Sequence, residues 1–296
     1  MSVKILDKDT IIKQKSDGFS PLIIGQPATI FHARAARLRQ LAQDSFMADY
    51  LLLAGQIVQQ QVHLVDTFNG AVQQQLHAKT LTWPIEIDSS WQAILDPMLT
   101  QLTSALRPVV SDDIVKVIDN ISQIDQQTLQ HYFHALQQNQ AERVPADIAI
   151  ILWGCINTLM SLIVANTQLE WQPEANAKQS HCPLCGGAPV ASLIQGSGHR
   201  YLHCSQCEAQ WHRLRAECTQ CGDGENIQLQ SESLEDSVRA ETCGHCQSYL
   251  KMLVLEKNPQ LDPIADDLAT LVLDQKLSQM EFYRSGFNPF LLPLAQ

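Results

Sequence analysis

The sequence predicts an α+β protein: an N-terminal all-α helical domain, two small tetrathiolate metal modules of rubredoxin-like or zinc-ribbon-like kind, and a C-terminal helix. Three observations predict it. Residues 1–180 hold a single cysteine, Cys155, and repeat apolar residues at helical spacing. Residues 181–250 hold the other eight cysteines and seven of the 13 glycines, in short extended stretches between turns. A helical pattern then returns after Pro259. The expected divisions are residues 1–178, 179–215 and 216–258 for the helical domain and the two modules, and 259–296 for the C-terminal helix and tail.

The helical elements can be placed in order. Pro27 suits a first turn, and Ile30, Phe31, Leu38, Leu41 and Ala42 share one face. A second helix starts near Asp49, with Leu52, Val62 and Val65 on its face, and Trp83-Pro84 closes the segment. Three more follow over 91–106, 112–121 and 126–137. Residues 148–165 carry no charge over 18 positions, which reaches the length of a membrane span. Asn157, Thr158 and Ser161 interrupt that run and no basic cluster flanks it, so a buried central helix is the preferred reading.

Strand-forming stretches lie at Arg200-Tyr201-Leu202-His203, at Gln210-Trp211-His212-Arg213 and at Ser248-Tyr249-Leu250-Lys251-Met252-Leu253-Val254. Asp262-Pro263 reads as a cap followed by a first-turn proline, with Asp266 and Asp267 at the positive end of a helix to about Met280. A loop ending in Asn288-Pro289-Phe290 should follow.

Composition narrows the function. A chain of 296 residues with 45% hydrophobic residues can bury a sizeable core. Only 17% of residues are charged, and the net charge of −11 opposes the phosphate neutralisation that nucleic-acid binding needs. Lys and Arg number 12 against 17 Asp and Glu up to residue 180, and 8 against 14 beyond it, so acidity does not mark the boundary. The opening residues are interrupted by charges before an apolar signal core could form, so a cytoplasmic location is expected. Nine cysteines in a reducing compartment point to metal ligands or redox thiols.

Eight cysteines form four C-x-x-C pairs: Cys182/Cys185, Cys204/Cys207, Cys218/Cys221 and Cys243/Cys246, separated by 18, 10 and 21 residues. One pair offers two thiolates from a tight turn, and two pairs complete a tetrahedral site. Two metal ions are therefore expected. Sequential joining, first pair with second and third with fourth, is favoured because each module closes locally, while cross-braced joining remains open. Spacing and the Pro183 and Gly186 of the first knuckle suit iron and zinc alike. A structural staple is the default for closed sites, a partner-binding surface comes second and electron transfer third.

His181, His203, His212 and His245 are expected beside the sites rather than as ligands, since eight thiols already complete both. Cys155 is expected as a small buried hydrophobe. No catalytic triad, phosphate-cradling loop or paired catalytic carboxylates emerge, and Asp266-Asp267 reads as a helix start.

The residues resemble the FdhE-type formate dehydrogenase accessory proteins. The resemblance rests on Cys182-Pro183-Leu184-Cys185-Gly186, Gly198-His199-Arg200-Tyr201-Leu202-His203-Cys204-Ser205-Gln206-Cys207, Trp211-His212, and the Cys218/Cys221 and Cys243/Cys246 pairs. It continues through Asp262-Pro263-Ile264-Ala265-Asp266-Asp267-Leu268-Ala269 and Gly286-Phe287-Asn288-Pro289-Phe290, so it covers about residues 180–290. It implies a cytoplasmic, non-catalytic maturation factor or chaperone that binds the catalytic subunit of respiratory formate dehydrogenase, with iron favoured in the two four-cysteine sites. A second reading is an iron redox protein that passes electrons or sulfur to the enzyme. A zinc-ribbon adaptor for nucleic acid is disfavoured by the acidity.

Overall fold

The computed structural model describes residues 20–78, 81–167, 180–196, 198–231, 233 and 235–294; the charged opening stretch 1–9 and the expected boundary at 178–179 lie outside these. Six helices come first: α1 (Pro27–Leu41), α2 (Ala48–His77), α3 (Gln92–Leu106), α4 (Asp112–Ser122), α5 (Gln126–Gln137) and α6 (Ala146–Ala165). They match the periodicity closely, except that Leu52, expected on the apolar face of α2, is exposed. Pro27 occupies the first turn of α1, and the Asp125 side chain caps α5 by accepting from the Thr128 amide.

The apolar run forms α6. Although long enough to cross a membrane, it has 94% of its apolar window buried inside the protein. It packs against α1 to α5. Its polar residues are satisfied internally: Gln61 of α2 donates to the Gly154 carbonyl and to Asn157 Oδ1, at 3.1 and 2.8 Å. Gln61 is thus a core residue, despite standing in the Gln59-Gln60-Gln61 run.

The second half is a mixed eight-stranded sheet: β1 (Leu22–Ile23), β2 (Pro189–Gln195), β3 (His199–Cys204), β4 (Gln210–Arg213), β5 (Ile227–Gln230), β6 (Val238–Cys243), β7 (Ser248–Val254) and β8 (Tyr283–Arg284). The order is β1-β4-β3-β2-β7-β6-β5, with β8 on β7. Each four-cysteine module contributes three antiparallel strands in the same sequence of knuckle, hairpin, knuckle and strand. The two sets join through a parallel β2–β7 pairing, Ser192↔Met252 to Ile194↔Val254. The modules therefore share one sheet, and β1 carries the N-terminal segment onto its edge.

The expected single C-terminal helix is two, α7 (Ala265–Ala269) and α8 (Leu271–Gln279), interrupted at Thr270. The cause is Lys251 of β7. Its buried amine donates to the Asp267 and Thr270 carbonyls at 2.8 and 3.1 Å, which a continuous helix would need for its own next turn. The expected terminal loop is also structured. β8 pairs with β7, and Gly286 passes so close to β2 that a Cβ there would stand 2.7 Å from the Val190 carbonyl oxygen. The 3-10 turn Pro289–Leu294 then packs on α6. Phe287 meets Trp153 at 5.1 Å between ring centroids, and the Tyr50 hydroxyl donates to the Phe290 carbonyl. One apolar core runs from Phe31 through α6 to Trp211, Leu250, Leu268 and Phe290.

Candidate metal centres

All four C-x-x-C pairs form the same kind of knuckle. The residue after the second cysteine takes a positive φ each time: Gly186 at 71°, Glu208 at 63°, Gly222 at 76° and Gln247 at 57°. Backbone bonds close the turns, with the amides of Gly186, Gly222 and Gln247 donating at 2.9 Å to the carbonyls of Cys182, Cys218 and Cys243. Glycine meets this conformation at no steric cost in two knuckles, and Glu208 and Gln247 bear it in the others. Gly187 has a different reason: a Cβ there would lie 3.1 Å from Cys204 Sγ and 3.2 Å from Cys185 Sγ.

The knuckles pair sequentially. Cys182, Cys185, Cys204 and Cys207 form one tetrad, and Cys218, Cys221, Cys243 and Cys246 the other, with the Sγ atoms of each set within 4.8 Å of one another. In the first, Cys182–Cys207 and Cys185–Cys204 stand at 3.6 and 3.4 Å. In the second, Cys218–Cys246 and Cys221–Cys243 both stand at 3.7 Å. A disulfide needs about 2.05 Å. A tetrahedral ion with metal–sulfur bonds of about 2.3 Å sets its ligands ~3.8 Å apart, and the observed separations lie close to that edge.

The electrostatics of the first tetrad ask for a cation. Burial pushes the Cys185 and Cys207 thiols well above the ordinary range. Cys182 is also buried, yet hydrogen bonds from Cys185, Cys204 and Cys207 hold it well below that range. A cation at the centre of the four sulfurs would offset the burial that raises Cys185 and Cys207. Backbone amides already face the sulfurs: Gly187 N donates to Cys185 Sγ at 3.4 Å, and Gln206 N to Cys204 Sγ at 3.3 Å. The donor set fits a soft four-coordinate ion, and its chemistry does not separate iron from zinc.

The tetrads sit differently in the molecule. All four cysteines of the first are buried and belong to the main apolar core. Its knuckles touch the helical domain: Ile85 N donates to the Leu184 carbonyl at 2.7 Å, and Asn157 of α6 to the Gln206 carbonyl at 3.0 Å. In the second tetrad Cys218 and Cys243 are buried, while Cys221 and Cys246 are part-exposed. Ser248 Oγ lies 3.1 Å from Cys246 Sγ, and despite burial its hydroxyl and amide help bring that thiol down to about 7.

Of the four histidines expected beside the sites, His245 is exposed within the Cys243/Cys246 knuckle. His203 is buried against Glu208 (Nε2 to Oε2, 2.8 Å), His181 is exposed beside Ser180, and His212 stands edge-on to His199 and Tyr201. Cys155 is buried in α6 and burial pushes its thiol up.

Sequence reasoning missed a buried ionic cluster at the first tetrad. Arg34 of α1 donates to both Glu208 oxygens at 2.8 and 2.6 Å and to both Asp262 oxygens at 3.0 and 3.1 Å. Asn157 donates to Glu208 Oε1 at 2.9 Å. Burial alone would raise the Glu208 carboxyl, but Arg34 and His203 bring it down to about 2. A signal for Arg34 was available: it lies three residues after Phe31 and four before Leu38, on the face those two residues bury.

The fold and the sites together define a class: a helical bundle fused to a sheet that carries two complete four-cysteine centres. Family models match three consecutive segments, as FdhE, N-terminal over residues 19–169, FdhE, central domain over 181–215, and FdhE, C-terminal domain over 216–291. A Protein FdhE homolog of Haemophilus influenzae (strain PittEE) is 34% identical over 303 residues, covering 99% of each chain. Protein FdhE of Salmonella choleraesuis is 32% identical over 311 residues, again covering 99% of each. The crystal structure of the FdhE protein from Pseudomonas aeruginosa superposes with a TM-score of 0.78 at 26% identity, covering 93% of this chain and 99% of that one. The chain belongs to the FdhE family.

Proposed function

We propose that the chain is a non-catalytic, cytoplasmic accessory protein for formate dehydrogenase. It binds the enzyme's catalytic subunit during maturation and carries two metal ions, one on Cys182, Cys185, Cys204 and Cys207 and one on Cys218, Cys221, Cys243 and Cys246. The observation that carries this reading is the pair of thiol tetrads at tetrahedral spacing in a chain matched end to end by FdhE relatives. Four thiolates fill the coordination of such an ion and leave no open position for a substrate, so the ions support a surface rather than a reaction. Iron is the expected metal from the resemblance, and a ferric tetrathiolate would also permit the redox reading.

The test is a pull-down of the formate dehydrogenase catalytic subunit, with elemental analysis and a visible spectrum of the anaerobically purified protein. The Cys182→Ala/Cys185→Ala variant should lose one ion and weaken the complex. Capture equal to that of the parent protein would separate metal from binding. A colourless protein with stoichiometric zinc would exclude the iron version of the redox reading.

A further inference from the structure

The two tetrads repeat the same knuckles but not the same surroundings. We propose that they divide the work: the Cys182 tetrad is a permanent joint between helical domain and sheet, and the Cys218 tetrad is the exchangeable centre, reached through Cys221 and Cys246. This rests on the metal-binding part of the function proposed above.

Losing an ion from a tetrathiolate site requires a competing ligand or protons to reach the sulfurs, so the rate follows how often the shell around the site opens. For the first tetrad that opening is large. Its four cysteines are at most 5% exposed and lie within the same core as Leu152, Ile156 and Trp211. Its second knuckle is tied to α1 through Arg34 and Glu208 and to α6 through Asn157, all buried. Its first knuckle is tied to the α2–α3 connection through Ile85. Exposing this ion means separating the two halves of the protein.

Among the described residues, the second tetrad has less cover. None of its cysteines belongs to the main core. The apolar packing beside it is a small separate cluster of Ala240, Tyr249 and Leu277, with Leu250 at the margin of the main core. Cys246 is followed by the exposed Gln247, and Tyr283, half exposed, is paired with Ser248 across β7 and β8. Cys221 and Cys246 are therefore part-exposed in the folded state, and on this proposal a soft ligand displaces one of them without the sheet opening. Release is a ligand exchange: the incoming donor takes the ion, and the freed thiolates take up protons from solvent.

The experiment uses the full-length protein as isolated, with its ions counted by elemental analysis before and during incubation with excess 4-(2-pyridylazo)resorcinol. Iodoacetamide labelling mapped by mass spectrometry is run in parallel. One ion should leave faster than the other by on the order of tenfold or more, with Cys221 and Cys246 labelled in step and Cys182, Cys185, Cys204 and Cys207 labelled only in the slow phase. The Cys221→Ser/Cys246→Ser variant should keep one ion and show the slow phase alone. Two ions leaving at one rate, or first-tetrad cysteines labelled first, overturns the division while leaving metal binding intact. A protein that holds no ion even after anaerobic loading overturns the metal reading and this inference with it.

Discussion

Glu208 answers two demands at once, and their magnitudes differ enough to be separated. Its φ of 63° is a conformation that costs a residue with a Cβ about 1–3 kcal/mol. Its carboxylate also neutralises Arg34, which is buried and shared with Asp262. Removing one partner of such a pair costs about 3–5 kcal/mol, because the other charge is left in the interior. The ion pair should therefore win. Glu208→Gly, which relieves the turn but removes the carboxylate, should still destabilise the protein, by a net of roughly 2 kcal/mol in chemical denaturation. Gln247→Gly, at the equivalent turn but exposed and without a charge partner, should stay within about 1 kcal/mol of the parent. Equal effects at both positions would mean that turn geometry, not the ion pair, governs Glu208. Neither role could be read from the sequence around Glu208, because Arg34 and Asp262 lie 174 and 54 positions away along the chain.

Among the elements, the helices and the knuckles were legible because their signals are local: a 3.6-residue period and a two-residue spacer between cysteines. Strands β5 and β6 were not: Ile227-Gln228-Leu229-Gln230 and Val238-Arg239-Ala240-Glu241 do alternate, but over only four residues each, and burial does not follow the alternation, since Leu229 is exposed and Glu241 is buried. The acidic start of the C-terminal segment was legible as a cap but not as a fastener. Asp262 does accept from the amides of Ile264 and Ala265 at 2.9 and 2.8 Å. Asp266 is bound by Arg37 of α1, whereas Asp267 is buried between Lys251 of β7 and Arg284 of β8. Burial would raise the Asp267 carboxyl, but Lys251 and Arg284 hold it below the usual range. A depressed carboxylate contributes stability that is present above its unfolded value, near ~3.9, and lost as pH falls through its folded value. Asp267→Asn should then lose about 3–5 kcal/mol at neutral pH. In urea titrations its deficit against the parent should shrink as the pH drops below about 4. A deficit that stays constant into acid would show that the aspartate acts by shape and hydrogen bonding alone.

At the scale of the whole molecule, the chain has two sources of cohesion that meet at the first tetrad. Helices α1 to α6 bury extensive apolar surface against one another, with α6 almost wholly enclosed in the folded protein. The sheet adds Val190, Leu193, Leu202, Trp211, Leu250 and Leu253 to the same apolar core, and it also holds buried charges such as Arg200, Glu241 and Lys251 that are stable only while their partners stay in place. Small metal-bearing units of this kind draw much of their folding free energy from the ions. The eight cysteines were legible as two sites, but the single sheet that unites them was not, because the β2–β7 pairing joins strands from different modules in parallel. Stripping the ions under reducing conditions should therefore unfold the sheet as one unit rather than module by module. Hydrogen exchange followed by mass spectrometry should show residues 189–254 losing protection together, with the amides of α2, α3 and α6 remaining slow. The amides of α1 should take an intermediate place, since Arg34 and Arg37 lose the carboxylates that face them from the sheet side. If one module exchanged while the other stayed protected, the β2–β7 joint would not be cooperative; if α2, α3 and α6 opened as fast as the sheet, the helical domain would depend on the metal as well.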